Sequence, residues 1–291
     1  MTANLKKILT IGMPVYNGEV YLALAIESLL AQDFSHWELM IFDNHSTDSS
    51  WNIITSFAAS DPRISCFRRE ENVGAIRNFI ELIENAESQY FMWAAADDTW
   101  SSNYISSCLS ALEANREIGF AGGSIRNTDG DGNTIRTYDP FLGGADPVAK
   151  VRIKSFLQAV EVDGKANMIY SIFRTDLLKH VCTINAVFNG WGFDMALVLA
   201  SLSRASYLQV GQSILYKRVV SFEDIQTAKL LSDNQYAKIQ FNGDFPPKYF
   251  YSYVRGLLSG LPSVWLKFFA VRIMLCRLVG VLWRKGWDVA K

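Results

Sequence analysis

Tyr90-Phe91-Met92-Trp93-Ala94-Ala95-Ala96-Asp97-Asp98 is the stretch on which the fold turns. An apolar run over 90–96 suits a buried strand, and it ends abruptly on two adjacent carboxylates. Working back toward the N-terminus, the spacing predicts a helix over 74–87, a strand over 63–67, and a helix running to about Ala59 that Ser46-Thr47-Asp48 caps. Before these come a strand over 37–42 closed by Asp43, and a helix from Gly18 to about Gln32 with Leu22, Ile26, Leu29 and Leu30 on one face. The first strand covers 8–13 and is stopped by Pro14. Working forward, 101–115 reads as a helix and 118–125 as a return to the sheet. This strand–helix alternation predicts an α/β fold, a Rossmann-like and mostly parallel sheet flanked by helices.

Past residue 125 the pattern loosens. The polar cluster 127–133 reads as a hairpin tip; Asp129-Gly130-Asp131-Gly132 also has the flavour of a calcium loop, but the glutamate such a loop needs is missing. Residues 139–147, with Gly143-Gly144, read as a mobile surface loop. A helix over about 150–160, a strand over 167–173, a helix over 191–203 and strands over 206–219 follow, and Pro246-Pro247 marks the border of a C-terminal segment. The expected division is a first half over 1–125, a second half of the same domain over 126–225, and a helical extension over 226–291.

A chain of 291 residues, 49% apolar and 20% charged, can bury a full core as one large domain or two coupled ones. Disorder, collagen-like repeats and a disulfide scaffold are excluded. With 28 basic and 29 acidic residues, the net charge of −1 offers no global field for nucleic acid. The balance is uneven, however. Residues 244–291 hold eight Lys/Arg against two Asp/Glu, or +6, which leaves −7 for the rest, and ten of the 38 aromatics sit in the same segment. Cys66, Cys108, Cys182 and Cys276 are dispersed, as are His36, His45 and His180, so no zinc site of standard spacing can be drawn and the thiols read as packing residues of a reducing cytosol. Lys6-Lys7 and the apolar residues after them mimic a secretion signal, but Pro14 and the polar Tyr16-Asn17-Gly18-Glu19 break the pattern, and strand–turn–helix is the better reading.

Four polar clusters fall where the parallel strands should end: Pro14-Val15-Tyr16-Asn17, Asp43-Asn44, Asn72-Val73-Gly74 and Asp97-Asp98. Ligands of open α/β sheets bind at that edge. The Asp97-Asp98 doublet suits a hard divalent cation bridging to a diphosphate, and it equally suits a cap for the helix that follows. Neither a phosphate-cradling G-x-x-x-x-G-K-[ST] loop nor a G-x-G-x-x-G loop is present, so a diphosphate would have to be held through metal.

These motifs, taken in order (11–18, 41–48, 71–74 and 93–98), resemble those of family 2 glycosyltransferases with the GT-A fold. The resemblance is specific over 8–125 and weaker to about 220. It implies an inverting transfer of a sugar from a nucleotide-diphosphate donor to a hydroxyl of a glycan or lipid-linked glycan, with Mn²⁺ or Mg²⁺ as cofactor and UDP as the commonest base. It implies that Pro14, Val15, Tyr16, Asn17 and Asp43 hold base and ribose, that Asn72 and Gly74 wall the pocket, that Arg77 reaches a phosphate, that Asp97 faces ribose or metal, and that Asp98 binds the metal. The chain departs from the commonest Asp-x-Asp-Asp pattern at Ala95 and resembles a branch with Trp-x-Ala-x-Asp-Asp. Asp194 matches the general base, although Phe193 stands where a glutamate is usual. A helix start favours the ionised form of such a carboxylate, and it is also where a plain N-cap would sit. Trp191 is a candidate sugar platform or a core residue, Asp163 is a further carboxylate of this half, and Asp176 reads as a helix cap. No Gln-x-x-Arg-Trp follows Asp194, so single-sugar addition is expected. Two rival classes remain at this point: a nucleotidyltransferase, although residues 12–18 lack the basic loop it needs, and a nucleotide-sugar-binding scaffold whose metal site was lost with Ala95.

Residues 264–283 are mostly apolar but carry Lys267, Arg272 and Arg277, which argues against a membrane span. The cations do not collect on one helical face. Trp265, Trp283, Trp287, Arg284 and Lys285 nonetheless suit an anionic membrane interface over 264–287, and packing on protein is the other reading. Surface polysaccharide assembly on the cytoplasmic side, with peripheral membrane contact, is the expected setting.

Overall fold

The computed structural model describes residues 7–159, 164–185, 192–219 and 250–288. Trp191, Asp163, Pro246 and Pro247 lie outside them. In chain order the elements are β1 (Leu9–Val15), α1 (Leu22–Leu30), β2 (Trp37–Asp43), α2 (Ser50–Ser60), β3 (Ile64–Arg68), α3 (Ala75–Glu84), β4 (Tyr90–Trp93), β5 (Thr99–Trp100) and α4 (Tyr104–Ala114). Then come β6 (Ile118–Thr128), β7 (Thr134–Thr137), α5 (Ala149–Gln158), β8 (Ile172–Arg174), α6 (Thr175–Asn185), α7 (Phe193–Leu202), β9 (Ser206–Arg218), α8 (Phe250–Ser259) and α9 (Val264–Asp288).

One sheet carries the whole arrangement, in the order β3-β2-β1-β4-β8-β6-β9-β5 with β7 paired to β6. The first four strands are parallel, and so are β6 and β9, while β8 runs antiparallel between β4 and β6. Period-2 alternation then splits the side chains between two cores. Tyr90, Met92 and Ala94 join Ile11, Met13, Ile26 and Leu109 on one face, whereas Phe91 and Trp93 join Leu82, Phe120, Phe173 and the α7 residues on the other. Phe120 stacks on Phe173 with ring centroids 4.7 Å apart, where the second half of the chain meets the first.

Three sequence expectations need correcting. The strand read over 167–173 is mostly a 3₁₀ turn, Lys165–Tyr170, and only Ile172–Arg174 joins the sheet. Alternation of small and apolar residues looks the same in both. The loop over 139–147 contains a packed 3₁₀ turn, Leu142–Ala145, because both its glycines press on side chains: a Cβ on Gly143 would lie 2.3 Å from Ser155 Cβ, and one on Gly144 2.7 Å from the Tyr207 ring. The run 206–219 is a single strand. Its pairing with β6 slips between Gly123 and Ser124, as Gly123 faces Val210 and Ser124 faces Ile214, and the extra residues form a bulge that Gly123 accommodates. That bulge sets which β9 side chains reach the site.

Candidate active site

At the C-terminal edge of the parallel strands, the first two loops are laced together. The amide of Asn17 donates to Ser46 Oγ at 3.0 Å, that of Gly18 to Ser50 Oγ at 2.9 Å, and the Asn17 side-chain oxygen accepts the Thr47 N–H at 2.8 Å. Glu19 accepts the Ser49 N–H and Asp48 that of Ser50, so the leading amides of α2, which no helical carbonyl can satisfy, are met from both loops. Of the sequence-predicted residues here, Val15 is core, Pro14 is half-buried, Asn17 is a loop strut, and Tyr16 presents an exposed ring. The Asp43 carboxylate has no exposed surface; it faces Arg68 at 3.2 Å and accepts the Ser46 N–H. Asn44, which sequence reasoning placed in the cluster without a role, bridges to the third loop. Its amide donates to Asn72 Oδ1 at 2.8 Å, and its oxygen accepts the Val73 N–H at 3.0 Å. Gly74 opens α3 at φ +84°, where a side chain would be strained, and leaves the Asn72 loop exposed. Arg77 is turned along α3 onto Glu81 and Glu84 rather than toward the loops.

The fourth loop meets β9. Asp98 is fully covered and both its oxygens are engaged: Oδ1 accepts the Arg218 N–H at 2.9 Å, and Oδ2 takes the Lys217 ammonium at 3.1 Å. Burial pushes its carboxyl up to about 6, with Lys217 opposing and Asp97 adding to the rise. Burial pulls the Lys217 ammonium down, but Asp98, Tyr170 and Asp97 together outweigh that and hold it protonated. The ammonium also lies 4.9 Å from the Tyr170 ring centre. Asp97 is half-buried, and its carbonyl accepts the Arg218 guanidinium. Across from these, Gly192 at φ +83° turns the chain into α7, and Asp194 sits in its first turn with Oδ1 accepting the Met195 N–H at 2.8 Å. Burial raises the Asp194 carboxyl above the ordinary aspartate value despite that hydrogen bond and the pull of Lys217. The helix start alone would have favoured the opposite direction; desolvation outweighs it.

Mg²⁺ and Mn²⁺ are held by one or two carboxylates together with substrate phosphates and water. Among the described residues no group of three or more His, Cys, Asp or Glu side chains could hold an ion by itself. Asp97 is partly exposed, whereas the Asp98 carboxylate is fully covered and hydrogen-bonded at both oxygens. The donor set therefore fits a cation that arrives with a diphosphate, through Asp97.

Residues 10–190 match Glycosyl transferase family 2. The chain belongs to that family. As a glycosyltransferase it is 30% identical to TuaG of Bacillus subtilis, named as a teichuronic acid biosynthesis glycosyltransferase, over 72% of this chain and 82% of that one. It is 29% identical to an Escherichia coli UDP-Glc:alpha-D-GlcNAc-diphosphoundecaprenol beta-1,3-glucosyltransferase, WfgD, over 37% of this chain and 42% of the relative. The crystal structure of S. aureus TarS 1-349 with UDP-GlcNAc superposes with a TM-score of 0.64 at 17% identity, covering 92% of this chain and 70% of that one, and this likeness speaks for the GT-A fold. Lys217 and Arg218, which contact Asp98 and Asp97, are the residues of the candidate site that sequence reasoning missed. The signal was present: two adjacent cations close an apolar strand, just as Asp97-Asp98 do.

Proposed function

We propose that the chain transfers a single sugar, with inversion, from a nucleoside diphosphate donor, UDP-linked in the first instance, to a hydroxyl of a glycan or lipid-linked glycan in surface polysaccharide assembly on the cytoplasmic side. The observation that carries this is the closing of the fourth parallel strand on Asp97-Asp98, with Asp98 bound to the Lys217 ammonium at the ligand-binding edge of the sheet. Asp194, in the first turn of α7 and drawn on by the same ammonium, supports the role of general base. The relatives named for teichuronic acid and for a diphosphoundecaprenol acceptor support the class of acceptor.

On this reading the laced 14–18 and 43–48 loops hold the base and ribose, with Tyr16 offering its exposed ring and Asp43 acting through the loop it shapes. Asn72 and Gly74 wall the pocket. A divalent cation bound with the donor would be held by Asp97 and would offset the charge of the leaving diphosphate. Asp194 takes the proton of the acceptor hydroxyl as that oxygen attacks the anomeric carbon from the face opposite the leaving group. Calorimetric titration of UDP, GDP, dTDP and CDP, each with Mn²⁺ and with EDTA, tests the donor site. One nucleotide is expected to bind more tightly with Mn²⁺, by about tenfold or more, and Asp97→Asn is expected to remove that gain. Absence of binding by all four in either condition would overturn the reading.

The C-terminal helix supports a membrane contact. Leu266, Phe269, Ala270, Ile273 and Met274 of α9 pack on the body, while Val264, Trp265, Phe268 and Leu275 stay exposed, Trp265 by 81%. Among the described residues no helix is long and apolar enough to cross a membrane. An apolar stripe with a tryptophan, in a segment of charge +6, suits the surface of an anionic bilayer. Co-sedimentation with vesicles of phosphatidylglycerol and phosphatidylethanolamine should fall by about tenfold or more in Trp265→Glu/Phe268→Glu, with melting unchanged. Equal sedimentation of both proteins would refute the contact.

A further inference from the structure

The cations around the site are unequally committed. Arg68 faces Asp43 and donates to the Ser46 carbonyl, Arg69 is taken up by Glu81 and Asn78, Arg77 by Glu81 and Glu84, and Arg218 donates to the carbonyls of Asp97, Asp129 and Gly130. Lys217 differs in place, next to the Asp97-Asp98 doublet, and in being held by a single hydrogen bond among the described residues. Its side chain is 25% exposed whereas the Asp98 carboxylate it binds is 0% exposed, so the lysine stands between a covered carboxylate and the surface. An ammonium has three donors, and among the described residues a single hydrogen bond, to Asp98, uses one. The charge arithmetic points the same way. Asp97, Asp98 and Asp194 bring three formal negative charges and Lys217 and Arg218 two positive, leaving −1 at a place that receives a diphosphate on the donor reading. Without the ammonium the diphosphate would enter a field of −2.

We propose that Lys217 is a catalytic residue of the transfer, donating a hydrogen bond to the terminal phosphate of the donor, and that Asp98 serves as its positioning partner rather than as a metal ligand. This rests on the donor reading given above. In the step itself the bond between the anomeric carbon and the phosphate oxygen breaks, with its electron pair staying on that oxygen. The acceptor oxygen forms the new bond to carbon, and its proton goes to Asp194. Lys217 keeps its proton throughout and stabilises the charge that builds on the leaving diphosphate. Asp98, buried and doubly hydrogen-bonded, fixes the direction of the flexible side chain.

The test is calorimetric, in EDTA, with whichever of UDP, GDP, dTDP and CDP the wild-type protein binds most tightly, alongside the corresponding monophosphate. Lys217→Met is expected to weaken the diphosphate by about tenfold to a hundredfold, the worth of a charge-assisted hydrogen bond, and to change the monophosphate by less than about threefold. Lys217→Arg should restore most of the loss. Asp98→Asn keeps the cation and one acceptor oxygen while weakening its positioning, so its diphosphate affinity should fall by less than that of Lys217→Met. If Lys217→Met fails to fold around an uncompensated Asp98, Lys217→Met/Asp98→Asn is compared with Asp98→Asn instead. Equal losses for mono- and diphosphate, or equal losses in Lys217→Met and Asp98→Asn, would overturn the proposal and leave a structural ion pair. A wild-type protein that binds none of the four diphosphates, with or without Mn²⁺, would overturn the donor reading as well, and the two failures are thus told apart.

Discussion

Asp194→Asn is expected to lower kcat by about 10²–10⁴-fold, the usual worth of a positioned general base. Donor affinity should stay within about twofold, because the amide keeps the shape of the carboxylate and can still accept the Met195 N–H. The pH dependence follows from burial. The carboxyl is raised above 3.8, so the working, ionised form is lost as pH falls through a value above the ordinary aspartate range, and the acid limb of kcat should lie there. Stability carries the opposite sign. Between the unfolded value and the raised folded value the native state holds the proton more tightly, so this group's contribution falls as pH rises through that window. The Asn variant should therefore melt no lower than the wild type at neutral pH. An unchanged kcat, or an acid limb that survives at the same pH in the variant, would remove Asp194 from the role of base.

The layout of the candidate site's edge was legible because Pro14, Asp43 and Asp97 fall at the ends of apolar runs. The parallel half announces itself through apolar runs that end on Pro14, Asp43 and Asp97, and the structure places those ends at one edge, as open sheets require. What the sequence concealed is which carboxylates are free. Asp43 and Asp98 look like ligand-binding residues in the chain, yet each is wholly covered, and their partners Arg68 and Lys217 lie 25 and 119 positions away. Pairing over such distances leaves no local pattern. The β9 bulge is hidden for a related reason: nothing periodic in residues 206–218 signals that Val210 and Ile214 face adjacent residues of β6, and it is this slip that aims Lys217 and Arg218. Arg77 shows the converse: a cation near the loops in sequence is paired locally, one helical turn on, with Glu81.

Arg218→Ala should have the largest effect on stability, about 3 kcal/mol, for what its guanidinium joins. The side chain donates to the Asp97 carbonyl at 3.2 Å and to the Asp129 carbonyl at 2.9 Å, reaches the Gly130 carbonyl as well, and lies 4.1 Å over the Tyr21 ring. It therefore fastens the end of the fourth loop to the tip of the β6–β7 hairpin and to the first loop's helix start, three segments otherwise far apart in the chain. Truncation leaves those carbonyls without their donor and opens a space beside Tyr21. Arg218→Lys keeps the charge but offers no planar fork, so it should recover less than half of the loss. The expected readouts are a melting temperature lower by several degrees and faster amide exchange at 129–133, where the hairpin tip would be held only by its own Asp129 hydrogen bonds. Unchanged melting together with unchanged exchange would mean that the hairpin needs no fastening. Donor affinity then separates two roles. If it falls along with stability, the guanidinium holds the Asp97–Asp98 segment in its binding geometry; if it does not, the Arg218 backbone N–H suffices to keep Asp98 in place, and the side chain serves the hairpin alone.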